Sequence, residues 1–285
     1  MRDNIHYRWV ILLLFGALVG VNQMLMLNFA PLVTTLQSLF GVSDFMAGLP
    51  TLLSTLSYLV FGFHAGITID RHGYQKVTSR AAVLMAVSAM VRAIEGDYWV
   101  LLLGHVGITV AGVYITSASA KVVSDWFPVE RIGVVTGIVM VGLLIGAGVG
   151  MGMSAMLVTQ FGFYPVMLSY GVLALLVSVP FILLCQENPL SAHHETEGAG
   201  EEVMALFKDK NLFIVFTLSF LMVGATNGFN AWFEKIMSLN GFSPDQAGYV
   251  VGTILLFSIA GAALIPAFSD RVGRRSPFIA LSAVL

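Results

Sequence analysis

Gly66-Ile67-Thr68-Ile69-Asp70-Arg71-His72-Gly73-Tyr74-Gln75-Lys76 closes a long apolar run, and Asp70, Arg71 and Gly73 recur as Asp270, Arg271 and Gly273, 200 residues later in the same setting. Laid over itself at this offset without gaps, the stretch 41–76 also matches 241–276 at Gly41/Gly241, Ser43/Ser243, Ala47/Ala247, Gly48/Gly248 and Leu56/Leu256. The repeat reads as two copies of one membrane unit joined in tandem.

The composition says why the unit belongs in a membrane. With 57% hydrophobic and only 11% charged residues, and a mean hydropathy of +0.87, the chain has more apolar surface than a soluble domain of its length can bury. A bilayer core about 30 Å thick needs roughly 20 apolar residues per helical span. The uncharged runs reach that length, and the alternating ten-residue segments of a transmembrane barrel are absent, so an all-α polytopic membrane protein is expected. The single cysteine, Cys185, permits no intrachain disulfide and is expected to be a packed, inert thiol. Arg2, Arg8 and the apolar run after them imitate a signal peptide, but the run continues to Val33 without a convincing cleavage site and reads as a retained first helix.

Breaks at charged residues, Gly and Pro predict spans near 9–33, 46–69, 77–94, 98–120, 132–157, 163–184, 212–233 and 246–268, eight complete helices. A ninth begins at Pro277, but the nine residues to Leu285 give about 14 Å of helix, too little to cross. The second bundle is therefore expected to be incomplete, and the 285-residue chain is expected not to transport by itself. The predicted domains are a six-helix bundle over 1–185, a cytoplasmic linker over 186–211 and a partial second bundle over 212–285. All of the 14 Lys and Arg residues except Arg92 and Lys235 fall at the N-terminus, in the even-to-odd connections or at the adjoining helix ends. The positive-inside rule then puts the N-terminus in the cytoplasm, with a plasma or bacterial inner membrane expected. Within the linker, His193, His194 and Glu195 have metal-ligand chemistry but no further Cys or His beside them, so no metal site is expected there.

The segment 66–76 resembles the loop signature of the major facilitator superfamily: a Gly, three residues, Asp, Arg, any residue, Gly, then basic residues. Asp270-Arg271-Val272-Gly273-Arg274-Arg275 resembles the second-half copy, with Pro266 in place of the first Gly. Six helices, a linker and a second set in the same orientation is that family's parallel-repeat plan. The residue types also have a local logic. Asp70 can approach the positive N-terminus of a neighbouring helix, Gly73 permits a tight reversal, and Arg71 and Lys76 can reach lipid phosphates or acidic partners. The resemblance implies that Gly66, Asp70, Arg71, Gly73, Lys76, Asp270, Arg271, Gly273, Arg274 and Arg275 form a gating element that latches the halves on the cytoplasmic side.

Three further segments carry the resemblance. In Leu103-Gly104-His105-Val106-Gly107, His105 stands where the family commonly has Arg, and it reads either as a pH-sensitive group or as a neutral, hydrogen-bonded one. The fifth span holds Gly137, Gly142, Gly146, Gly148, Gly150 and Gly152, which partly match a pattern linked with antiporters. Small residues also allow close helix crossing in lipid, and packing is the expected role. Asp125-Trp126-Phe127-Pro128-Val129-Glu130-Arg131 resembles the family's short connection into the fifth span, where Pro128 breaks the preceding helix.

The resemblance places the pocket near the membrane midplane, lined by spans 1, 4 and 7. Their polar residues are the substrate candidates: Asn22, Gln23 and Asn28; His105, Thr109 and Tyr114; Asn227, Asn230 and Trp232, with Glu234 near the external end. Amides at this depth need partners, and either a substrate or a neighbouring helix can supply them. As a set they imply a polar, mostly uncharged pocket. With Arg92 assigned to the external side, no Lys or Arg is expected at mid-depth, and a strongly anionic substrate is not expected.

No Gly-x-x-x-x-Gly-Lys-Ser/Thr loop, Gly-x-Ser-x-Gly elbow or His-Glu-x-x-His pair occurs, which leaves ATP-driven pumping and ordinary hydrolase chemistry unsupported. The expected function is secondary active transport of a small solute by alternating access. Its partners would be a small-molecule substrate, the lipid bilayer and a coupling ion such as H+ or Na+, with no cofactor and no nucleic acid. A transporter-like membrane sensor or scaffold is the alternative from another class, and a multi-span membrane enzyme a more distant one.

Overall fold

In the computed structural model, Gly73 ends one long helix and begins the next, and three such glycine turns set the pattern of the first half. The structure describes residues 5–187, 209–239, 241 and 244–272, with side chains in the last stretches only in part. The helices are α1 (Ile5–Leu27), α2 (Val33–Phe40), α3 (Asp44–His72), α4 (Tyr74–Val91), α5 (Tyr98–Ser117), α6 (Ser119–Trp126), α7 (Ile132–Phe161), α8 (Phe163–Leu184), α9 (Lys210–Leu239) and α10 (Pro244–Val272). Among the described residues there is no strand. The chain divides into two compact units, Met1–His193 with Leu255–Leu285, and His194–Ile254.

Gly41, Gly73 and Gly162 carry φ of 63°, 82° and 85° at the α2–α3, α3–α4 and α7–α8 turns, a region that costs any residue with a Cβ. Ser43 caps α3 by accepting from the Met46 amide at 3.4 Å. Several helix ends differ from the sequence reading by a few residues, and a separate short helix, α6, occupies 119–126 where the fourth span was expected to end at 120; the largest difference is in the first span. The first span was expected to run unbroken over 9–33, but α1 stops at Leu27 and a 3₁₀ turn over Ala30–Leu32 precedes α2. Pro31 lies in that turn; lacking an N–H and clashing with the preceding turn, it cannot continue the helix.

Five stretches among the described residues are long and apolar enough to cross a membrane: His6–Phe40, Asp44–His72, Tyr98–Trp126, Val129–Phe161 and Phe163–Leu184. Helix α4, expected as the third span, has 18 residues, roughly 27 Å at 1.5 Å per residue, and carries Lys76 and Arg80 in its first two turns. Its small buried face, including Ala81, Ala82, Ala86 and Ala89, packs between α5 and α8. Leu59, Phe63, Leu103, Leu176 and Leu183 point outward, as a bilayer solvent requires.

Helix α1 is the centre of the first half and packs on α7, α8 and α5. Glycine makes the α1–α7 approach possible. A Cβ at Gly142 would lie 2.6 Å from the Gly16 carbonyl oxygen, one at Gly20 2.7 Å from that of Gly142, and one at Gly150 2.6 Å from that of Met24. A Cβ at Gly146 would overlap the Gly20 carbonyl. Backbone meets backbone along this seam, the close crossing that small residues give membrane helices.

Candidate functional site

The turn between α3 and α4 places the gating residues. Gly73 donates its N–H to Ile69 O at 2.9 Å, while Asp70, Arg71 and Lys76 are exposed around it. Asp70 Oδ1 lies 3.9 Å from Lys121 Nζ of α6, with both side chains partly in solvent. Gly66 is half-buried in α3 and has open space where a Cβ would be. Arg271 is exposed at the end of α10. The Asp270 side chain and residues Gly273, Arg274 and Arg275 lie outside the described residues.

Of the substrate candidates, Asn22, Asn28, His105 and Thr109 are fully buried inside the first half. Asn22 Nδ2 donates to Ile108 O at 3.3 Å and lies 3.6 Å from Met85 Sδ. Thr109 Oγ1 pairs with Ser57 Oγ at 2.8 Å and donates to Val106 O. Gln23 and Tyr114 are half-buried, and Tyr114 OH is 2.6 Å from His64 Nδ1 of α3. The side chains of Asn227, Asn230, Trp232 and Glu234 lie outside the described residues, as do His193, His194, Glu195 and the expected ninth helix. Among the described residues no cluster of His, Cys, Asp and Glu could hold a metal ion.

The strongest electrostatic feature is Arg92, which the charge distribution assigned to the external end of the third span. The structure finds it at the end of α4, but not in a solvated position. Arg92 follows the last residue of α4, and its side chain turns back into the bundle, 0% exposed. Its Nη1, with two protons, donates to Leu25 O at 2.9 Å and to Asn28 Oδ1 at 3.1 Å, and shares one of them more weakly with His105 Nδ1 at 3.4 Å. The guanidinium carbon sits 4.7 Å from the centre of the Phe29 ring. Among the described residues no carboxylate pairs with it, and Nε and Nη2 are buried without a hydrogen-bond partner. Sequence reading missed this residue because a charge at a helix end ordinarily marks the exit from the membrane. Nothing in the sequence pairs it with Gly104, which the structure places against it: a Cβ there would lie 2.9 Å from the Arg92 amide nitrogen.

His105 is defined by these neighbours. Arginine only donates, so Nδ1 facing Arg92 is the lone-pair nitrogen; a carbonyl only accepts, so Nε2, 3.0 Å from Pro50 O, carries the proton. Ser54 Oγ, 3.3 Å away, shares that proton and donates its own to Pro50 O. Both ring nitrogens are engaged, and the ring is the neutral Nε2–H tautomer.

Comparison with known proteins agrees with this architecture. The Major Facilitator Superfamily profile matches residues 10–285. An uncharacterized MFS-type transporter of Mycobacterium tuberculosis is 23% identical over 274 residues, covering 94% of this chain and 60% of the relative. A 2-nitroimidazole transporter of Escherichia coli is 25% identical over 266 residues, 90% of this chain and 64% of that protein. The crystal structure of a bacterial homolog of the human lysosomal transporter Spinster, inward-facing and unoccupied, superposes with a TM-score of 0.65 at 19% identity, covering 92% of this chain and 60% of that one. The chain spans less than two thirds of each of these proteins. The doubled Asp-Arg-x-Gly signature, the helical membrane architecture and a profile that runs from the first span to Leu285 together establish that this chain belongs to the major facilitator superfamily.

Proposed function

We propose that the protein is a secondary transporter that moves a small solute across a membrane by alternating access, with its N-terminus in the cytoplasm. The observation that carries this reading is the recurrence of the Asp70-Arg71-x-Gly73 turn as Asp270-Arg271-x-Gly273. A repeated gating element suits two halves that rock against each other, and the relatives' names agree with transport.

Within the first half, Gln23 and Tyr114 are the candidates with side chains open enough to meet a solute. His64 orients Tyr114 by the 2.6 Å contact. Asn22, Asn28, His105 and Thr109 serve the bundle by hydrogen bonds between helices. The solute is therefore recognised on this side through a few neutral hydrogen-bonding groups in an apolar wall, and H+ or Na+ is the proposed coupling ion.

Uptake into proteoliposomes by the complete protein tests the reading, with 2-nitroimidazole as a first probe in a panel of small organic solutes. Saturable uptake of one of them is expected. Binding without flux would favour a sensor or scaffold, and chemical change of the ligand a membrane enzyme. For the topology, a Cys introduced at Glu197 should resist an impermeant thiol reagent applied outside intact cells.

A further inference from the structure

The first residues after α8 do not leave the bundle. Cys185 is buried at 1% exposure, and its amide donates to Phe181 O at 2.8 Å. On either side of it the backbone is held by tyrosines from other helices. Tyr7 OH of α1 donates to Leu184 O at 2.6 Å, and Tyr74 OH, the first residue of α4, donates to Gln186 O at 2.8 Å. The same Tyr74 oxygen accepts from Trp126 Nε1 of α6 at 2.5 Å, and the Trp126 ring stands edge-on to Tyr7 with centroids 5.6 Å apart. One residue further, the Glu187 carboxylate occupies the space that a Cβ at Gly73 would fill. These contacts converge on the turn that carries Asp70 and Arg71, and on α6, which supplies both Trp126 and the Lys121 that faces Asp70.

We propose that residues 185–187, where the connection toward the second half begins, form a strap that holds the 70–73 turn in place, with Tyr74 as the positioning residue that fastens it. Tyr74 is suited to this by bonding in two directions: its hydroxyl ties the connection to the end of α6 while its backbone continues from the turn. Gly73 is required twice, for its φ of 82° and for the room it leaves Glu187. Displacing the connection releases the turn, and moving the turn loosens the connection. This mechanical coupling lies within one half and does not depend on whether the chain transports.

Hydrogen exchange followed by mass spectrometry on the protein in lipid nanodiscs tests it. In Tyr74→Phe, which keeps the ring and removes the hydroxyl, amides in 70–76 and in 184–187 should exchange faster together. The expected factor is roughly threefold to tenfold, the loss of one or two ordinary hydrogen bonds, with residues 98–117 and 142–150 unchanged. Glu187→Ala reads the coupling from the other side and should speed exchange in 70–76, although the substitution lies outside that turn. An effect confined to one segment in Tyr74→Phe, no change at 70–76 in Glu187→Ala, or faster exchange spread through α5 and α7 would each overturn the strap.

Discussion

Arg92 Nη1 donates to Asn28 Oδ1 at 3.1 Å, joining the residue after α4 to the residue after α1 across 64 positions of sequence. This bond helps to hold a buried guanidinium that no carboxylate among the described residues neutralises. Removing one partner of a buried charge is more damaging than replacing the charge itself by apolar atoms. Asn28→Leu is therefore expected to destabilise the first half by about 2–4 kcal/mol, and Arg92→Met by clearly less. Thermal unfolding in detergent checks the order; a larger loss for Arg92→Met would contradict it.

Restoring the family's usual arginine at position 105 is expected to harm this protein. His105→Arg would put a second permanent cation against Arg92, which now lies 3.4 Å from Nδ1, and remove the acceptor that Nη1 uses. Folded yield should fall sharply for His105→Arg and recover in the double variant His105→Arg/Arg92→Met, since one buried charge then remains. Fluorescence size-exclusion chromatography gives the yields. Equal yields for wild type and the single variant would disprove the repulsion.

The α1–α7 seam predicts a contrast between two glycines of one helix. A Cβ at Gly146 overlaps the Gly20 carbonyl, whereas at Gly152 nothing among the described residues lies within 4 Å. Gly152→Ala should gain up to about 1 kcal/mol from helix propensity, while Gly146→Ala should lower the melting temperature or abolish the folded peak. Similar behaviour of the two would mean that α7 does not approach α1 so closely.

Burial first, and the nearby negative charge of Glu187 second, push the Cys185 thiol from 9.0 up to about 12. Near pH 8 the native thiol should react with maleimide on the order of 10³-fold more slowly than an unfolded cysteine, because only the thiolate attacks. The sign for stability follows. Below about pH 9 both states keep the proton; between 9 and 12 the unfolded state loses it first, so stability falls as pH rises. Rapid labelling of native protein at pH 8 would show an exposed or ionised thiol.

Asp70→Asn should lower flux per molecule in the complete protein more than it lowers abundance. The Asp70–Lys121 pair is long at 3.9 Å and partly solvated, which limits its stability contribution to about 0–1 kcal/mol. Transport assays at matched expression, with the solute found by screening, measure the effect. Unchanged flux would reduce Asp70 to an ordinary loop residue.

The sequence by itself determined the membrane environment, the tandem plan and the six long helices of the first half, though not the short α2 and α6, because these follow from apolar run length and from residues whose backbone demands are local. Gly73 and Pro128 could be read as a reversal and a break without knowing what they touch. The family resemblance was legible for the same reason, since its signature lies in consecutive residues of one turn. Only the tertiary structure decided which polar groups face inward. Asn22 and Gln23 are neighbours in sequence, yet one is wholly buried against α5 and the other half-open. Neither the rotation of α1 about its axis nor the packing of α7 against it is written in polarity when every face of the helix is apolar enough for lipid. Arg92 is the sharpest case. Its chain position marked the end of a span, but a long side chain can turn back, and whether it does depends on acceptors supplied by Leu25, Asn28 and His105 from helices that meet only in the folded bundle.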